Sequence, residues 1–254
     1  MSTSLKYGKL PPEYHRDTLK MSDFLPSVAV MPPPPAKRAW EYAVKTPWQM
    51  FDNDKVGNCV IAATLHWIMA ATANTKKPAL FTTGIALAIY SAITGYDPAQ
   101  TDSNGNNPTD NGTAWTDMLA YWRDIGIPDT AGTIHKILGW GSIGLTLSEL
   151  NQGLNVFGGL LIGTAVTKSM EDQFLAKKTW DAPFSGGVQG LHGIPRLGYG
   201  HEGESVITWG AEEQGDLNLY KNYDEAYAVV TQDFLDTQGK SPLGFDVDAL
   251  MAAL

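Results

Sequence analysis

Residues 59–73 read Cys-Val-Ile-Ala-Ala-Thr-Leu-His-Trp-Ile-Met-Ala-Ala-Thr-Ala. The stretch is apolar nearly all round, and a helix without a polar face is one buried at the centre of a domain. It is too short for the ~20 apolar residues that span a bilayer, and Thr64 and His66 interrupt it. It is therefore a core helix. Cys59 stands at its start, directly after Lys55-Val-Gly-Asn58, a loop-to-helix junction. A helix N-terminus stabilises a thiolate through its dipole and free N–H groups, lowering the pKa from ~8.5 and making the sulfur a nucleophile. The alternative is a small buried hydrophobe, the ordinary role of an isolated cysteine.

Working outward, the first half of the chain is helical. A second helix is expected from Thr82 to Thr94 with Gly95 as its cap. Tyr96–Gly112, rich in Asp, Asn, Pro and Gly, reads as a long surface loop. Trp115, Met118, Leu119, Trp122 and Ile125 share one helical face that ends at Gly126. Thr146-Leu-Ser-Glu149 is a capping box opening a short helix through about Val156. Beyond it, Gly159–Val166, Gly193–Tyr199 and Ser205–Trp209 read as strands, the last two joined by the turn Gly200-His-Glu-Gly203. Tyr220–Asp236 mixes the two signals. The class is α+β in two lobes, helical over about 39–145 and β-rich over about 146–254.

Residues 1–38 form a Pro-rich leader. Pro11, Pro12, Pro26 and the run Pro32–Pro35 exclude helix and central strand and favour an extended arm along the surface. About 35 residues is short for a segment that must fold by itself and fill a cleft, so an inhibitory prosegment is not expected.

The 254 residues include 8 Trp, 10 Tyr and 8 Phe, and 43% are hydrophobic, which excludes global disorder. A net charge of −9 argues against a nucleic-acid partner. The charge is uneven: residues 205–254 hold nine acids and two lysines. The single cysteine excludes an intramolecular disulfide and a four-Cys metal cage. The first thirty residues lack a signal-peptide core, and no membrane partner is indicated. The expected location is the cytoplasm.

A cysteine nucleophile needs a base. His15 lies in the leader, and His66 is seven residues along the helix from Cys59, about 10.5 Å up its axis and too far for direct proton transfer. His135 reads as structural and His201 as a solvated turn residue. His192, at the head of a strand after Ser-Gly-Gly-Val-Gln-Gly-Leu191, can project from the sheet rim into a cleft. It is the candidate base. Two other patterns carry no chemistry. Gly139-Trp-Gly-Ser-Ile-Gly144 has the dinucleotide glycine spacing without a preceding strand. Asp102-Ser-Asn-Gly-Asn106 with Asp110 lacks the turn glycine and bidentate glutamate of a calcium loop, so no metal site is assigned.

The order of these features resembles the papain-like cysteine peptidases. Pro35-Ala-Lys-Arg-Ala-Trp40 is similar to their mature start, and Asn53 lies six residues before Cys59, where the family has its oxyanion amide. His192-Gly-Ile-Pro-Arg-Leu-Gly-Tyr-Gly200 matches the strand that carries the family's histidine. Ile207-Thr-Trp-Gly210 is similar to its Asn-Ser-Trp-Gly. Asp110-Asn-Gly112 with the helix after it, and Gly158-Gly-Leu-Leu-Ile-Gly163, match its pocket loop and a core strand. The similarity covers about residues 36–212, and the overall pattern is also similar to proteins of bacteria and their phages, which adds the virion as a location.

The resemblance implies a two-lobed papain-like fold with the Cys59-bearing helix at its centre. By it Cys59 attacks a peptide or amide carbonyl of a peptide or protein substrate, and His192 moves the proton. Asn53 and the Cys59 backbone N–H hold the oxyanion, without a cofactor. Three departures stand out. Asn53 replaces Gln. The family's disulfides are missing, which suits a reducing compartment. Ile207 fills the third catalytic position and cannot orient an imidazole, and Thr208 could serve only if the strand slipped by one residue. Trp209 would then offset part of the loss by excluding water. The same residues fit acyl transfer, and a non-catalytic binding or structural module on this fold is the rival reading.

Overall fold

The computed structural model of the chain describes residues 5–13, 20 and 33–234. His15, Pro26, Pro32 and the C-terminal stretch 235–254 lie outside the described residues. Helix α1 (Cys59–Asn74) buries fourteen of its sixteen residues, which is why its sequence has no polar face. Helix α2 (Thr83–Thr94) starts where Thr82 Oγ1 accepts the Ile85 N–H and stops at Gly95, whose φ of +75° suits glycine. Helix α3 (Trp115–Asp124) buries Trp115, Met118, Leu119 and Trp122. Ile125, expected on the same face, is 61% exposed. The helix ends one residue earlier and Ile125 is its cap, with its N–H on the Tyr121 carbonyl.

Short strands β1 (Arg38–Ala39), β2 (Ile127–Pro128) and β3 (Ile134–His135) precede β4 (Ile137–Ser142). Next come α4 (Leu147–Phe157), β5 (Leu160–Thr167) and α5 (Lys168–Leu175). Strands β6 (Val188–Tyr199), β7 (Glu204–Thr208), β8 (Ala211–Gly215) and β9 (Tyr223–Thr231) complete the chain. The capping box of α4 forms, with the Glu149 N–H donating to Thr146 Oγ1 at 3.3 Å. One antiparallel sheet runs β4-β9-β5-β6-β7-β8, with β1 paired to β6, and α1 packs across β6. The approach is close: a Cβ on Gly193 would lie 3.1 Å from Val60 Cα. The mixed α+β architecture agrees with the sequence.

Several elements differ from expectation. Gly139-Trp-Gly-Ser142 belongs to β4 and pairs with β9, so its glycines serve a strand. Strand β8 and helix α5 were not expected. His192 does not head its strand; it is the fifth residue of β6. Residues 219–222 form a turn of 3-10 helix before β9, which separates the mixed signals of that region. In the expected loop, the Asp102 carboxylate accepts the Asn104 and Asn106 N–H groups at 2.8 and 2.9 Å, a self-contained turn.

Candidate active site

Cys59 opens α1, and its Sγ accepts a hydrogen bond from the Gly193 N–H at 3.4 Å. Gly193 directly follows His192, so one peptide unit joins the thiol to the strand that carries the imidazole. His192 Nε2 lies 2.8 Å from Thr208 Oγ1. Its other ring nitrogen, Nδ1, is buried with no hydrogen-bond partner among the described residues. Both side chains are fully buried.

The partner of His192 is Thr208, not a residue at position 207, and the reason is register. Strands β6 and β7 pair Tyr199 with Glu204 and Gly198 with Ser205, then skip Leu197 and pair Arg196 with Val206. Side chains alternate between faces, and opposed residues share a face. Counting in twos from Arg196 reaches His192, and in twos from Val206 reaches Thr208. Without the bulge, His192 would share its face with Ile207 instead. One extra residue in β6 thus performs the one-residue slip and turns Ile207 into the core.

Trp209 follows with φ +42°, a conformation bulky residues rarely adopt. That bend lays its indole on the imidazole, with ring centroids 4.2 Å apart and planes 20° from parallel. Tyr7 stands edge-on to both rings, 6.0 Å from His192 and 5.8 Å from Trp209. In this dry enclosure burial pushes the Cys59 thiol above its ordinary value, against the pull of backbone hydrogen bonds from Gly193 and Gly8 and of the Lys9 charge. Burial pushes His192 down to about 3. Both directions favour an uncharged thiol beside an uncharged imidazole. The helix-start argument for a thiolate is outweighed here by desolvation.

Asn53 is buried, and its Nδ2 donates to the Val56 carbonyl at 3.4 Å, a long bond within the loop that leads to Cys59. Phe51 and Asp52, with φ of +56° and +58°, give that loop its tight shape. His66 is buried against the Gln49 carbonyl and pushed down to about 4, away from this chemistry. His135 is held 2.9 Å from an Asp233 oxygen, a structural role.

Of the described part of the leader, Leu5 and Lys9 are buried in the protein instead of lying along its outer surface. Residues 7–10 run over Cys59. Gly8 rests between two other glycines: a Cβ on Gly8 would lie 1.9 Å from the Gly57 carbonyl oxygen, and one on Gly112 would lie 2.2 Å from the Gly8 carbonyl oxygen. The Thr113 N–H donates to the Gly8 carbonyl at 2.7 Å, the Leu10 N–H to the Thr113 carbonyl at 3.1 Å and the Lys9 N–H to the Leu191 carbonyl at 3.3 Å. A carboxylate organises the walls: Asp110 accepts the Gly57 N–H at 2.9 Å and the Tyr90 hydroxyl at 2.7 Å, while Tyr90 Oη accepts the Gly112 N–H at 2.8 Å. Residues 7–10 reach the thiol without folding by themselves, because the protein supplies their backbone partners. Thr208 and this strap were both missed. A clue to the first was the conditional register slip, and nothing in the leader's composition pointed to the second.

This arrangement is the papain-like fold, shown by comparison with solved structures. Xylellain, a cysteine protease from Xylella fastidiosa, superposes with a TM-score of 0.65 at 14% identity, covering 90% of this chain and 97% of that one. Digestive procathepsin L 3 of Tenebrio molitor larval midgut gives 0.61 at 11% identity, covering 90% and 76%. The Carica candamarcensis cysteine protease CMS1MS2 in complex with E-64 gives 0.54 at 11% identity, covering 77% and 98%. No protein-family model and no curated protein matches the sequence.

Proposed function

We propose that the chain is a cysteine peptidase whose strap must leave the cleft before it acts. The observation that carries this reading is the Cys59 thiol at the head of α1, tied through Gly193 to an imidazole that Thr208 holds at Nε2. Once the strap is displaced, water re-enters and the desolvation that keeps both groups neutral falls. His192 Nδ1 takes the thiol proton, and Sγ forms a bond to the carbonyl carbon of the substrate amide. The Cys59 backbone N–H and the Asn53 amide stabilise the oxyanion, an interaction whose loss typically costs about 10²–10³ in rate. The imidazolium returns its proton to the amine as the C–N bond breaks. Water, deprotonated by the same nitrogen, then cleaves the thioester. A lone cysteine without disulfides suits a reducing compartment.

The covered, neutral pair also favours a second reading, a binding module whose thiol is idle. The epoxide E-64 separates them, since it alkylates an activated thiol. Full-length Gly8→Val protein, with its strap expelled, should be labelled at Cys59 and should degrade unfolded casein, and Cys59→Ala should do neither. A folded Gly8→Val protein that takes no label and cleaves nothing would leave the binding module as the answer.

A further inference from the structure

We infer that the acidic pocket occupied by the Lys9 side chain selects a lysine or arginine side chain in the substrate; this rests on the peptidase reading above. The Lys9 side chain is completely buried, with Nζ 2.9 Å from Asp224 Oδ2 and 2.6 Å from Glu225 Oε1. Nζ also donates to the Leu10 carbonyl at 2.9 Å. The Tyr227 hydroxyl donates to Glu225 Oε2 at 2.8 Å and so fixes that carboxylate. The stem runs over Gly163 of β5, where a Cβ would lie 2.1 Å from Lys9 Cε. The pocket therefore has room for a long side chain only because position 163 has none. Two carboxylates meet its charged end.

The place of the pocket gives it a role in selection. Gly8 has its backbone at the thiol, and Lys9 is the next residue. A substrate residue adjacent to the one at the reacting carbonyl would send its side chain into the same space. An apolar side chain there would take the Lys9 counter-charge from Glu225, whose side chain is 5% exposed. An acidic one would add repulsion. Discrimination thus comes from leaving buried charge unpaired, which rejects the wrong ligand more strongly than a missing apolar contact does. The strap occupies this pocket with the group the pocket requires.

The test uses full-length Gly8→Val protein and three capped peptides, Tyr-Gly-Lys-Leu and its norleucine and glutamate counterparts at the lysine position. Each is titrated as a protector of Cys59 against iodoacetamide. The lysine peptide should protect at a concentration at least about tenfold lower than the norleucine peptide, and Asp224→Asn with Glu225→Gln should abolish that preference. Full-length Lys9→Glu protein, whose strap is repelled by the same carboxylates, carries the same panel if Gly8→Val does not fold. Equal protection by lysine and norleucine peptides overturns the inference. Cleavage of internally quenched peptides with lysine or norleucine directly after the scissile bond is read separately. A binding preference without any hydrolysis keeps the pocket and removes the peptidase reading.

Discussion

His192 Nε2 sits 2.8 Å from Thr208 Oγ1, and the bulge at Leu197 in β6 is what makes Thr208 its partner. A hydroxyl can orient an imidazole as a carboxamide can, with one hydrogen bond on a short, β-branched and therefore stiff side chain. Trp209 covers the pair and limits the water that would compete for that bond.

Thr208→Val removes the hydroxyl at nearly constant shape. With one orienting hydrogen bond contributing about 1–1.5 kcal/mol, kcat/KM should fall about tenfold, read on a strap-displaced background. Ile207→Asn should give no gain, because Ile207 faces the core and is 1% exposed. It should instead lower stability by about 1–3 kcal/mol through an unpaired buried amide. A rise in activity in Ile207→Asn would show that the register described above is wrong.

Gly8→Val should expose the thiol. Its first side-chain carbon would collide with the Gly57 carbonyl, so the strap must lift. Cys59 alkylation by iodoacetamide at neutral pH should accelerate at least about tenfold over wild type, since buried thiols react through local opening. An unchanged rate in a protein with a native melting profile would show that the strap does not guard Cys59.

Asp110 clamps the glycine walls of the cleft. Its side chain is 4% exposed, accepts the Gly57 N–H and the Tyr90 hydroxyl, and lies 3.2 Å from Lys6 Nζ. Asp110→Ala leaves those donors buried without acceptors. Chemical denaturation should report a loss of about 1–3 kcal/mol, together with faster Cys59 alkylation. Asp110→Asn, which keeps an acceptor, should lose less on both measures.

Two buried histidines should each cost stability as the solution is acidified below neutrality. His192 and His66 are pushed down by burial, to about 3 and about 4, from an ordinary value of 6.5. The unfolded chain therefore binds protons that the folded chain refuses, and stability present above pH 6.5 is lost as pH falls toward those values. Two such groups give a slope of up to about 2.7 kcal/mol per pH unit between about pH 4 and 6. His135 acts in the opposite sense, because Asp233 and Asp129 raise it against the cost of burial, and Glu41 and Glu213 act with it, since burial pushes them up to about 7. The melting-temperature difference between wild type and His192→Gln, recorded from pH 7 to 4.5, should shift in favour of His192→Gln as the pH falls. A difference that stays constant over that range would show that the His192 ring is not buried as a neutral group.

Much of the fold was legible along the chain. The all-apolar α1, the caps at Thr82, Gly95 and Thr146, and the face formed by Trp115, Met118, Leu119 and Trp122 are local patterns, and each became the expected element. Elements without a strong local pattern, such as β8 with its Ala-Glu-Glu-Gln-Gly sequence, were missed because pairing with β7 alone defines them. The same division runs through the site. That Cys59 starts the central helix could be read from the residues before it, and His192 became the candidate beside it by sorting five histidines. Thr208 could be named only on condition of a register slip, because a bulge at Leu197, on the partner strand, sets which side of the sheet it faces.

By itself the sequence determined an α+β chain, a buried central helix headed by its one cysteine, and the histidine that could serve it. Those properties depend on neighbouring residues and on which side chains avoid water, and both are written in order along the chain. Only the tertiary structure decided that Thr208 holds the imidazole, that the strap covers Cys59, and that burial favours the neutral forms of the Cys59 thiol and the His192 ring. Each depends on contacts between segments far apart in sequence: β6 against β7, and residues 7–10 against Gly57, Gly112 and the Asp224–Glu225 pair. Charge state follows from the same contacts, because desolvation is a property of the enclosure and not of the residue.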